Sequence, residues 1–77
     1  MKILLEYVAM LHVIGPASGS VCEEPEGSNV ADLLNKLGIS SSHQRSVTAF
    51  VNDTKVGHTH ILADGDRVFL SIPISGG

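Results

Sequence analysis

The chain closes on Pro73-Ile74-Ser75-Gly76-Gly77, two glycines directly after an apolar, strand-like run. A main-chain carboxylate behind Gly-Gly has no Cβ beside it. Such an end can thread a narrow channel and adopt dihedrals closed to other residues. The carboxylate itself is a poor electrophile. Taken alone, the two glycines read as a frayed terminus. Placed after a strand that finishes in proline, they read as a working tail, flexible over about residues 74–77.

Other residues with chemistry to offer are sparse. His58 and His60 are two apart and point the same way if extended. Zinc takes three or four ligands, and no cysteine or third histidine stands near them, so a solvent-exposed loop and no metal site are expected. His12 and His43 show no partner in the sequence. Cys22 is the only cysteine, which excludes an internal disulfide and suggests a reducing compartment. Glu23 and Glu24 beside it raise a thiol's pKa, so nothing flanking Cys22 marks it as a nucleophile. No nucleophile, base and orienting group form a recognisable set.

The elements that position the tail follow from periodicity and turn chemistry. Residues 2–9 (KILLEYVA) read as a first strand interrupted by Glu6, and residues 10–15 (MLHVIG) as strand or one helical turn. Residues 16–20 (PASGS) form a turn cluster, and Val21–Glu24 a short second strand closed by Pro25-Glu26-Gly27. Asn29 can cap a helix whose Val30, Leu33, Leu34 and Leu37 make one apolar stripe, with Gly38 as its stop. Residues 40–45 read as a polar loop. Residues 47–52 (VTAFVN) form a strand, Asn52-Asp53 turn it into a short partner around Lys55-Val56, and Ile61-Leu62-Ala63 is an apolar clip. Asp64-Gly65-Asp66 is a tight turn with Gly65 at φ > 0. Arg67 to Ile74 is the last strand. Its Val68, Leu70, Ile72 and Ile74 alternate with Phe69, Ser71 and Pro73, which leaves Phe69 to solvent or a partner.

One helix covers one face of a four- or five-stranded sheet, so the other face meets solvent or a partner. A right-handed crossover through the helix places the later strands parallel to the first. The expected class is α+β, a mixed sheet grasping one main helix, in a single domain of residues 1–77. A chain of this size has one thin core and no room for a deep, enclosed active site. With 43% hydrophobic residues, three aromatics, 17% charged residues and a net charge of −3, the composition is that of a globular protein. The basic residues are scattered, which argues against nucleic acid as a partner. The opening run is too short for a signal peptide and no run reaches membrane-spanning length, so the cytoplasm is expected and a membrane is not.

Three local signatures, in this order of elements, resemble the MoaD/ThiS family of β-grasp, ubiquitin-like sulfur carriers. Phe50-Val51-Asn52 with Val56 resembles its "VN…V" hairpin. Leu62-Ala63-Asp64-Gly65-Asp66-Arg67-Val68 resembles its "L-x-D-G-D-x-V" turn, and Pro73-Ile74-Ser75-Gly76-Gly77 its "P-x-x-G-G" end. Pro25-Glu26-Gly27 and residues 7–15 are further matches; the latter is similar to the segment by which molybdopterin-type members differ from the shorter thiazole-type ones. Leu11-His12 stands where that segment usually has Arg-Glu, and Ile72 where a second proline often precedes Pro73.

The resemblance implies a carrier rather than a catalyst: a recycled co-substrate, or the small subunit of a molybdopterin synthase. An adenylating, MoeB/ThiF-like activating enzyme would use ATP on the Gly77 carboxylate, and sulfur from a persulfide donor would displace AMP to leave a thiocarboxylate. Gly76 serves tail threading. A sulfur-accepting synthase, the molybdopterin-synthase large subunit or a thiazole synthase, would take the sulfur, and the carrier binds no cofactor itself. The resemblance also places Phe69, Pro73, Ile74 and Ser75 at the partner interface, and aligns Cys22 with an apolar strand position, as a small buried hydrophobe. Residues 7–15 favour the molybdopterin or tungstopterin pathway over thiazole. A protein modifier conjugated to lysines, and a plain binding module with incidental glycines, are the other classes.

Overall fold

The computed structural model describes residues 1–72. Its elements are β1 (Lys2–Tyr7), β2 (Ser20–Glu23), α1 (Val30–Lys36), α2 (Ser41–Gln44), β3 (Thr48–Val51), β4 (Thr54–Val56) and β5 (Arg67–Ser71). The strands form one mixed sheet in the order β2-β1-β5-β3-β4, so the last strand in sequence lies at the centre.

Helix α1 starts where its capping chemistry is complete. The Asn29 side chain accepts from Asp32 N at 2.8 Å, and the Asp32 carboxylate accepts from Asn29 N at 3.0 Å. The two preceding orphan donors are met from elsewhere in the chain. Val30 N donates to the His60 carbonyl at 3.1 Å and Ala31 N to the His58 carbonyl at 2.9 Å. The helix stops before Gly38, which sits at φ +75°; a Cβ there would lie 2.8 Å from Ile14 Cδ1. Both the left-handed backbone and the close approach of Ile14 therefore call for glycine.

The apolar stripe of α1 faces the inward residues of the sheet. Val30, Leu33, Leu34 and Leu37 are buried with Ile3 and Leu5 of β1, Ala49 and Val51 of β3, and Val68 and Leu70 of β5. Each fully buried Leu or Val contributes about 1.5–3 kcal/mol over leaving it exposed. Among the described residues no helix covers the other face of the sheet, which is what a single main helix dictates.

Several expectations need correction. Of the two neighbours of β1 in the sheet, β2 runs antiparallel and β5 parallel, and β5 in turn pairs antiparallel with β3. The crossover argument thus holds for β5 and not for β3: α1 is followed by a strand running the opposite way, and the parallel partner arrives later through the 57–66 connection. The 40–45 stretch is not a loop but contains α2, because the Ser40 carbonyl accepts from His43 N and Gln44 N, and Gln44 Nε2 bonds Asn35 Oδ1 and Ile39 O. Residues 10–15 are neither strand nor helical turn. Their apolar residues divide between core and surface, Leu11 being buried and Met10 and Ile14 exposed, so no single period suits them. Cys22 is half-buried rather than buried.

Candidate functional site at the end of the last strand

Gly76, Gly77, Pro73, Ile74 and Ser75 lie outside the described residues. The structure instead shows the strand that leads to them and the two surfaces beside it.

Strand β5 is set by interlocked turns at its start. Asn52 and Asp53 between β3 and β4 take φ +51° and +70°, the left-handed pair that a two-residue hairpin needs. Asn52 Nδ2 then donates to Asp66 Oδ1 at 2.9 Å, and Asn52 Oδ1 accepts from Arg67 N at 3.0 Å. Asp66 Oδ2 accepts from Ala63 N at 2.7 Å, closing the turn around Gly65. Asp64 Oδ1 accepts from Lys2 N at 2.7 Å, and Gly65 N donates to the Lys2 carbonyl at 2.7 Å. The "VN…V" and "D-G-D" signatures therefore form one hydrogen-bonded device that joins the starts of β1 and β5 to the β3–β4 hairpin. It stands at the opposite end of β5 from the tail, about 16 Å away for a five-residue strand. Its work is to fix where β5 starts and which way it points.

The open sheet face carries a row of side chains across four strands. Glu6 of β1, Phe69 of β5, Phe50 of β3 and Lys55 of β4 are successive cross-strand partners. The two rings lie 6.2 Å apart between centroids with planes tilted 42°, a separation within the range of interacting aromatic pairs. Phe69 is 36% exposed, so it is on the open face as the alternation requires, with most of its surface covered by neighbours. Arg67, one pleat away, is bracketed by two carboxylates: its guanidinium pairs with Asp53, and its Nε lies 3.9 Å from Glu6 Oε1. Glu6, Phe50, Asp53, Arg67 and Phe69 line a shallow hollow on this face. It can receive a flat apolar group with polar rims, and holds no pair of groups suited to proton transfer.

On the other side of the sheet, near the end of β5, a mostly apolar groove opens between residues 10–12 and the stretch after α1. Its lining includes Met10, Leu11, His12, Ile39, His43 and Ile72. Sequence reasoning missed this feature. Its signal in the sequence is the apolar run around Met10, which fits no single period.

The remaining candidates are structural. The His58 ring nitrogen lies 2.8 Å from the Val47 carbonyl, and with its own carbonyl on Ala31 N this residue ties the 57–60 loop to the residue before β3 and to α1. His60, His12 and His43 are exposed. Among the described residues no three His, Cys, Asp or Glu side chains gather as a metal-holding group. Burial pushes the Cys22 thiol up, with Glu24 adding to the effect and Lys36 opposing it. That makes it a poor nucleophile. Among the described residues no helix is long and apolar enough to cross a membrane.

Comparison with known proteins agrees with this architecture. A model of the ThiS family matches residues 8–77. Among solved structures, the chain is similar to SAMP1 from Haloferax volcanii at a TM-score of 0.72 and 17% identity, over 100% of both chains. It is also similar to a Pyrococcus furiosus protein named as a molybdopterin converting factor, subunit 1. That match has a TM-score of 0.72 and 24% identity, over 95% of this chain and 98% of that one. No curated protein matches the sequence.

Proposed function

The chain belongs to the ThiS family, ubiquitin-like β-grasp proteins of the sulfur-carrier kind, and on that premise we propose that it carries sulfur on the carboxyl group of Gly77 for molybdopterin or tungstopterin synthesis. The observation that carries the reading is the placement of Pro73-Ile74-Ser75-Gly76-Gly77 directly beyond the central strand β5. A central strand is held on both sides, by β1 and β3, so the end of β5 has a fixed position relative to any enzyme seated on the domain. Val8 N adds a hydrogen bond of 3.1 Å to the Leu70 carbonyl, close to the point of exit.

The chemistry is the activating enzyme's and the carboxyl group is this chain's. A Gly77 carboxylate oxygen attacks the α-phosphorus of ATP and pyrophosphate leaves. A persulfide of the donor attacks the acyl adenylate and AMP leaves, forming an acyl disulfide. A second thiol cleaves its S–S bond, is oxidised to a disulfide with the donor, and releases the thiocarboxylate. The thiocarboxylate sulfur bonds to a carbon of the acceptor on the synthase, and water then hydrolyses the acyl–sulfur bond, which leaves the sulfur on the acceptor and returns the carboxylate. Phe69 on the open sheet face is the docking residue for the activating enzyme, and Pro73, Ile74 and Ser75 are the further partner-binding residues of this reading. Residues 7–15 support the molybdopterin-type pathway over the thiazole type.

The test is mass spectrometry after incubation with the activating enzyme, ATP and a sulfur donor. The intact chain gains the mass difference of one oxygen exchanged for sulfur, located at Gly77. A chain lacking Gly76 and Gly77 gains nothing, because its carboxylate stops roughly 7 Å short of the nucleotide, and its melting temperature is unchanged. Equal activation of both chains overturns the reading.

A further inference from the structure

We propose that the open face of the sheet binds a second copy of this chain, as a weak and reversible dimer built on the row Glu6, Phe69, Phe50 and Lys55. These side chains are successive cross-strand partners on β1, β5, β3 and β4. Across the sheet the row runs anion, ring, ring, cation. Turned end for end it runs cation, ring, ring, anion, which is the pattern that complements it. The face is therefore complementary to itself, as a twofold interface requires.

The order of the row selects one orientation. A twofold axis parallel to the strands, passing between β5 and β3, stacks the two sheets face to face. It sets Glu6 of each copy opposite Lys55 of the other, and Phe69 opposite Phe50. Stacked sheets lie about 10 Å apart, a gap that a glutamate and a lysine reaching from opposite sides can span. In the neighbouring row, Arg67 of β5 comes over the β3–β4 turn of the other copy, which holds Asp53, so the second set of charges on the face is matched as well. A twofold axis running across the strands sets Glu6 on Glu6 and Lys55 on Lys55, which like-charge repulsion disfavours. The favoured axis leaves the strands of the two copies running the same way, the arrangement of aligned sheet packing.

The groups in the row have capacity to spare. Among the described residues Lys55 makes no ion pair, and Glu6 has only Arg67, whose Nε lies 3.9 Å away. Phe69 is 36% exposed, and a second copy removes the outer surface of both rings from water. The area sets the strength. Four strands spaced about 4.8 Å apart and about 16 Å long present roughly 300 Å² in projection. Two such faces bury less than the roughly 1,200 Å² at which stable complexes begin, so the copies part readily. The dimer covers Phe69, which the carrier reading above offers to the activating enzyme; on that reading, paired chain is withheld from activation until it separates.

Sedimentation equilibrium of the full chain alone tests the dimer, so its outcome is separate from that of the carrier reading. Wild type passes from monomer toward dimer between about 10 µM and about 1 mM. Glu6→Lys and Lys55→Glu each raise the dissociation constant at least about tenfold, because each sets like charges opposite one another at both ends of the row. An equimolar mixture of the two variants associates within about threefold of wild type, since every position 6 then faces an opposite charge at position 55. Thermal melts check that the fold is kept; should Glu6→Lys not fold, Lys55→Glu on the exposed edge strand and Phe69→Ala carry the test, each weakening association. Wild type that stays monomeric at about 1 mM, variants that associate as wild type does, or a mixture no tighter than either variant alone overturns the proposal.

Discussion

Gly65 sits at φ +86° with nothing within 4 Å of where a Cβ would stand. Any penalty for replacing it is therefore conformational rather than steric. Gly65→Val should lower stability by about 1–3 kcal/mol, since a β-branched residue is strained there. Gly65→Asn should recover much of the loss, because Asn tolerates the left-handed region. Thermal melts of the two variants distinguish this from a crowding effect, which would make them alike. Cys22 offers a second check at the same scale. Burial, then Glu24, hold its thiol above the ordinary range, so the thiolate fraction at neutral pH is small. Alkylation by iodoacetamide at pH 7 should be slower than that of a free cysteine peptide, and an equal or faster rate would mean that β2 opens readily or that the thiol is activated.

At the scale of elements, β2 is tied to the end of α1 by one side chain. Lys36 Nζ donates to Glu24 Oε2 and to the Glu23 carbonyl, both at 2.8 Å. Glu24 is buried, with a side chain 3% exposed, while Lys36 is 57% exposed. The hydrogen bond to Glu24 raises the lysine's pKa, with burial opposing and further charge–charge attraction adding to the rise. The folded state thus holds the lysine proton more tightly than the unfolded chain. The stabilisation is fully present below the unfolded lysine value, about 10.4, and is lost as pH rises through the higher folded value. Wild type should lose melting temperature above about pH 10 more steeply than Lys36→Met, which lacks the group. Parallel curves would show that the pair contributes nothing to this dependence.

For the whole molecule, the two faces of the sheet do different work, and Phe69 tests the division. Its ring is 36% exposed and paired with Phe50, whereas Leu70 beside it is fully buried. Phe69→Ala should cost about 1–2 kcal/mol, less than the 2–5 kcal/mol typical of a core Leu→Ala such as Leu70→Ala. It should also weaken binding to the activating enzyme, which calorimetric titration would read directly. A loss as large as that of Leu70→Ala, with binding unchanged, would make Phe69 a residue of packing and remove the open face from the docking reading.

Much of this was legible in the chain itself, where a feature depends on neighbours in sequence. Asn29, the 30, 33, 34, 37 stripe and Gly38 specify α1 because a cap, a 3.6-residue period and a left-handed stop are local properties. Asn52-Asp53 and Gly65 likewise declare their turns, and alternation along residues 68–72 assigns Phe69 to the outer face. What the chain alone left open depends on partners distant in sequence. The direction of β3 relative to β1 follows from which strand edges pair, and α2 forms in a polar stretch because Gln44 finds Asn35 and Ile39. The groove at Met10 exists only because the 8–15 segment is pinned to Leu37 and Leu70 across the fold. Sequence carries the periodicities and turns because short-range sterics and hydrogen bonding set them. The surfaces on which a partner could settle come from packing between elements far apart along the chain, and only the tertiary structure decides those.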